Sequence, residues 1–207
     1  MSIITCRSHF SRESQKFFVG QPAEVLLNYI GGSTGSWRVN SVTTHSGAPL
    51  KPATHVEIVK GNTCRPPMGS SWVLRGVVRN TRFVTREDRP SLEPRYFKQG
   101  PVETTCAALI PIRKSAAWWN LEHDERQEII EARSRQLGRG MRFLPAIARR
   151  FLYGRDLGEP FDLVTWFEYS SRDQSIFDDL AGALRSSMEW QYIEREVDIR
   201  LVKEPLV

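Results

Sequence analysis

The stretch Ser115–Arg150, SAAWWNLEHDERQEIIEARSRQLGRGMRFLPAIARR, limits what this chain can fold into more than any other. It reads as one amphipathic helix, a glycine break, and a strand that opens on Arg149 and Arg150. Asn120 is a suitable N-cap, and Glu122, Asp124 and Glu125 crowd the first turn, where the helix dipole favours negative charge. Arg133, Arg135 and Arg139 gather toward the other end, and Gly138 and Gly140 are expected to stop the helix. The apolar run Ala107–Ile112 before it predicts a buried strand. After it, two runs of strand character, 147–157 and 161–169, flank a Gly-Glu-Pro turn and predict a hairpin. Residues 173–186 place Phe177, Leu180 and Leu184 on one helical face, and 189–202 alternates cleanly as a final strand opened by Glu189.

The predicted order is therefore β-α-β-β-α-β, a complete ferredoxin-like unit over residues 101–207. Residues 1–100 read as a reduced version of the same unit, richer in strand and poorer in helix. Residues 21–30 suit either a short helix or a strand. Trp37–Thr44, His55–Lys60 and Ser71–Val84 have strand patterning, punctuated by proline and glycine. The glycine-rich GGSTGSW at 31–37 lacks the lysine and spacing of a phosphate loop, and is expected to be a plain turn. Two such units predict an α+β sheet that curls into a barrel. Helices are expected to cover one face, leaving the other free for a ligand or a partner subunit.

Composition excludes more than it selects. The 207 residues carry a formal net charge of +5 and 40% hydrophobic content, ordinary for a globular protein. Such a charge is weak ground for nucleic-acid binding, and the arginines around 75–95 lack regularly interleaved aromatic residues. Cys6, Cys64 and Cys106 follow neither a disulfide framework nor zinc-ligand spacing. The polar N-terminus has no secretory apolar core, and no window approaches a membrane span, so a cytoplasmic protein with no membrane partner is expected.

Three positions invite chemistry. Gln136 follows Ile129 and Ala132 at helical spacing, so a polar side chain is expected to project toward the sheet near the helix end. A buried glutamine needs partners, and Lys114 and Glu189 are placed to supply them. Arg149 and Arg150, adjacent on a strand, must point to opposite faces, so one faces inward and calls for an anion or a carboxylate. Trp118, Trp119, Trp166 and Trp190 suit core packing or the wall of a flat apolar cofactor, and Trp119 is taken with that wall.

The segments ALIPIRKSAAWW, RSRQLGRGMRFLPAIARR, RDLGEPFDLVTWFEY and EWQYIEREVDIRL, with SWRVNSV and SWVLRGVVRNTRFVTRE before them, resemble the chlorite dismutase family, in particular its short-subunit cytosolic branch. The resemblance runs from about Gly31 to the end. It implies a dimeric α+β barrel of two ferredoxin-like halves, with heme b in the C-terminal half and chlorite converted to chloride and dioxygen. By motif position it implies that Arg149 is the distal residue steering the anion, and that Lys114 and Glu189 lie beside the proximal ligand. The family's proximal histidine falls on Gln136, and the segment Arg133-Ser134-Arg135-Gln136 contains no histidine. An amide oxygen is a harder and weaker donor to iron than an imidazole nitrogen. Gln136 as metal ligand therefore implies weakly held heme and impaired or altered turnover, or a heme-free paralogue acting as a binding or structural dimer. His123 is no substitute: thirteen residues earlier on a helix, it stands roughly 20 Å away.

Overall fold

The computed structural model describes residues 25–61, 67–78, 104–141 and 147–205. Eight strands close into an antiparallel barrel: β1 (Val25–Gly32), β2 (Trp37–Ser46), β3 (His55–Lys60), β4 (Trp72–Val78), β5 (Cys106–Lys114), β6 (Ala148–Tyr153), β7 (Leu163–Tyr169) and β8 (Ile193–Lys203). Around the barrel the order is β1-β3-β2-β8-β5-β7-β6-β4. Two runs share one pattern within that circle, β4-β1-β3-β2 and β8-β5-β7-β6. The expected β-α-β-β-α-β order holds in the second half, and residues 21–30 resolve toward strand from Val25 onward.

Alternation along each strand divides its side chains between two environments. One set fills the barrel: Tyr29, Leu109, Trp166 and Ile199 belong to a single buried cluster. Trp166 is its hub, stacked on Tyr29 at 5.2 Å and meeting Trp37 edge-on at 5.1 Å. The other set, Ala108, Ile110, Ile112 and Phe167 among them, faces outward and packs beneath a helix. The sheet face expected to lie free for a ligand is thus the barrel's own core, because closure brings the inner faces of all eight strands together. The helices and the remaining open space share the outer face.

Between β5 and β6 the single expected helix is two. The short α1 (Ala116–Asn120) ends where α2 (His123–Met141) has yet to begin. Asn120 closes the first helix instead of capping the second. The cap falls on Glu122, whose backbone N–H donates to Glu125 Oε2 at 2.8 Å, half of a capping box. Gly138 and Gly140 do not stop α2, which continues to Met141; one glycine costs only about 1 kcal/mol in a helix interior. The third helix, α3 (Gln174–Arg185), buries Phe177 and Leu180 as its spacing predicts. Phe177 meets Phe167 at 5.0 Å and stacks on Tyr169 at 4.5 Å. Glu189 does not open β8. It lies in a 3-10 turn, Met188–Tyr192, which carries the chain from α3 back to the sheet.

Candidate functional site

β5 delivers Lys114 to the outer face, in step with Ile110 and Ile112. Its backbone N–H donates to Asp162 Oδ2 at 2.7 Å, pinning the strand end to the β6–β7 connection. The ammonium lies 3.2 Å from the centre of the Trp118 ring and donates to Glu189. Glu189 is only 3% exposed and also accepts from Arg133 Nη1. Two cations from different elements therefore share one buried carboxylate. Burial pushes the Lys114 ammonium down to about 8, with the Glu189 charge pulling the other way. The Arg133 Nε–H is buried and finds no acceptor among the described residues.

Lys114 and Glu189, both expected beside Gln136, meet each other, with Arg133 as the third member. The sequence had placed Arg133 only among the cations near the helix end. Its clue was spacing: three residues before Gln136, it stands on the same side of α2 one turn earlier. Gln136 is on α2, but its side chain lies outside the described residues, and so does any contact it makes.

Beside this triad, α3 and the sheet flank a pocket that is open to solvent on one side. Ile110, Ile112, Leu163 and Phe167 form its sheet wall, and Leu184 and Trp190 close the opposite side. Arg133, Arg149 and Arg185 bring three guanidinium groups to it. Arg185 is satisfied by acids: its Nε donates to Glu196 Oε1 and its Nη2 to Asp198 Oδ2, both at 2.8 Å. Glu196 in turn accepts from Trp190 Nε1 at 2.7 Å. Arg149 pairs in register with Phe167 on β7 and lies 4.6 Å from the Phe151 ring centre, so it faces the pocket. Arg150, opposite Trp166, faces the barrel interior beside Tyr29. Burial pushes the Tyr29 phenol well above its usual range, and Arg150 opposes that shift.

Trp119 is not part of the pocket wall. Its ring lies 3.4 Å from the Arg155 guanidinium, and its carbonyl accepts from Arg126. Trp190, not singled out for the site, takes a place there. Of the arginines around 75–95, Arg75 pairs with Glu159 at 3.1 Å, while those at 79–95 lie outside the described residues, as do Cys6 and Cys64. Cys106 is a buried free thiol. Among the described residues no group of three or more His, Cys, Asp or Glu side chains could hold a metal ion. No described helix is long and apolar enough to cross a membrane.

No protein-family model and no curated protein sequence matches this chain. Solved structures do. The dimeric chlorite dismutase of Nitrobacter winogradskyi is 45% identical, with 86% of this chain and 99% of that one covered and a TM-score of 0.75. The chlorite dismutase of Candidatus Nitrospira defluvii in complex with imidazole is 16% identical, over 87% of this chain and 91% of that one, at a TM-score of 0.62. A mutant of that enzyme in complex with cyanide is also 16% identical, with the same shares covered and a TM-score of 0.63. At such identities these two bear on the fold alone.

Proposed function

The chain belongs to the chlorite dismutase family, and from that premise we propose that it is a chlorite dismutase-like protein whose pocket still takes a flat apolar group and a small anion, with turnover of chlorite impaired at Gln136. The observation that carries this reading is the position of Arg149: a guanidinium set among Ile110, Ile112, Phe151 and Phe167 in a pocket whose remaining charged groups are Arg133, Arg185 and Glu196. In such surroundings it is a strong binder of small oxyanions, because little water competes for it. Its proposed role is to hold and orient chlorite. Lys114 and Glu189 stand behind the pocket as the pair that would neighbour a proximal ligand.

Heme b, which the family resemblance implies, fits this site in one respect and not in another. The apolar walls suit the faces of a flat ring. The donor set does not suit iron. None of the described pocket-lining residues carries the imidazole, thiolate, thioether or phenolate that proteins use to hold heme iron. The carboxylate that would orient an imidazole already accepts from Lys114 and Arg133. That occupancy also favours the second reading, a heme-free paralogue acting as a dimeric binding or structural protein.

In either reading the protein is a cytoplasmic homodimer of two halves, 1–100 and 101–207, with the site in the second. Absorption spectra and chlorite-dependent oxygen release, for wild type and Gln136→His purified with heme supplied, test the proposal. The variant is expected to bind heme at least about tenfold tighter, worth ~1.4 kcal/mol, and to release oxygen faster. Equal spectra and equal rates refute a weakening at Gln136. The absence of a Soret band from both decides for the heme-free reading.

A further inference from the structure

We infer that the pocket holds a flat apolar carboxylic acid through charge and shape alone, with no bond to a metal, and that Arg133 is the residue that receives the carboxylate. The inference deepens the reading of this pocket as the ligand site and rests on it.

The argument starts from charge. Lys114 and Arg133 share the buried carboxylate of Glu189, and Asp162, the next acid to Lys114, also pairs with Arg155 at 3.8 Å, so the cluster keeps an excess positive charge. The pocket's other close acid does not correct this. Glu196 is engaged by Arg185, and Arg185 also by Asp198. An uncompensated charge in partly buried surroundings calls for a counterion, and the pocket is where one can enter.

The second observation is an unmet donor. Arg133 lines the pocket, its side chain is 18% exposed, and its Nη1 is held by Glu189. Its buried Nε–H has no acceptor among the described residues. Leaving such a donor unmet costs about 1–3 kcal/mol. A guanidinium presents several N–H groups in a planar fork, so it can keep Glu189 on one edge and take a second carboxylate on another.

The third is the chemistry of the walls. Ile110, Ile112, Leu163, Phe167, Leu184 and Trp190 offer only apolar or aromatic surface to the body of a ligand. A small inorganic anion would leave that surface unused. A flat hydrocarbon ring system bearing a carboxylate uses both the walls and the charge. With no iron donor among the described walls and only a weakly donating amide at Gln136, a metal at the centre of such a ring is expected to add little to its binding.

Titration of the full-length protein with protoporphyrin IX, its dimethyl ester and hemin separates these contributions. The free acid is expected to quench tryptophan fluorescence and to bind within about threefold of hemin. The ester should bind at least about tenfold more weakly, the loss of one charge-assisted contact at ~1.4 kcal/mol per tenfold. Arg133→Met should weaken the acid by a similar factor and leave the ester unchanged. Arg133→Lys should recover part of the loss, with circular dichroism checking that both variants fold. Hemin binding tenfold or more tighter than protoporphyrin would overturn the inference, since it would reveal a grip on iron. Equal affinity for acid and ester would also overturn it. If none of the three probes binds, the pocket reading fails together with the inference; preference for hemin leaves that reading standing.

Discussion

The two faces of strands β5–β8 are built from the same backbone and behave as different materials. Inward, Leu109, Trp166, Val197 and Ile199 join Tyr29 and Trp37 in a closed cluster. Outward, Ile110, Ile112 and Phe167 meet helices that cover them incompletely, and the gap admits guanidinium groups. The inner face is complementary to itself, because barrel closure supplies every side chain with a neighbour. The outer face depends on two helices and a 3-10 turn arriving from different parts of the chain, and their misfit is the pocket. Stability is therefore concentrated inside and chemistry outside, at a separation of one residue along each strand.

The sharpest way to break this contrast is to empty the inside. Trp166→Ala removes the ring on which Tyr29 and Trp37 converge and is expected to cost about 4 kcal/mol, as large-to-small core changes do. A lowered urea midpoint checks it, and porphyrin affinity of the protein that remains folded should change little. If affinity falls in step with stability, the two faces are not separable. Next in size, Glu189→Ala leaves the Lys114 and Arg133 cations buried without their shared partner, expected to cost about 3 kcal/mol in the same unfolding assay.

A third effect is one of pH. Folding lowers Lys114 from 10.5 to about 8. Below about 8 the lysine is protonated both folded and unfolded, and the burial of its charge opposes folding in full. Between about 8 and 10.5 only the unfolded chain keeps the proton, so unfolding takes one up. This lysine's contribution therefore makes stability rise with pH through that window, by at most ~1.4 kcal/mol per pH unit. Lys114→Met should remove that slope from urea midpoints measured between pH 7.5 and 10. An unchanged slope would mean that the ammonium is not the group responsible.

The second half was legible in the sequence because its apolar periods are long and uninterrupted. Ala107–Ile112 and the Phe177–Leu180 face appear as strand and helix where their spacing puts them. What misled was local chemistry that tertiary contacts override. Asn120 has the best capping side chain, yet Glu122 caps α2 through Glu125, since α1 has already used Asn120. Glu189 sits at the head of an alternating run, but alternation cannot distinguish a strand start from a 3-10 turn leading into one. Closure of the barrel was expected, but not that it would consume the face reserved for a ligand; that depends on strand order, which no local pattern encodes. Arg133 was visible as a cation and hidden as a site residue. Its importance comes from Glu189, far along the chain and brought near only by the fold.

The opposite orientations of Arg149 and Arg150 carry a rule of parity for any redesign of this sheet. Sliding β6 by one step against β7 would send Arg149 into the filled interior and turn Arg150 toward the helices, because each step inverts every side chain on the strand. A change of length in the 154–162 connection that the turn itself does not absorb is therefore tolerable only in even numbers. Odd ones would exchange the two arginines and turn the buried Leu152 out of the interior.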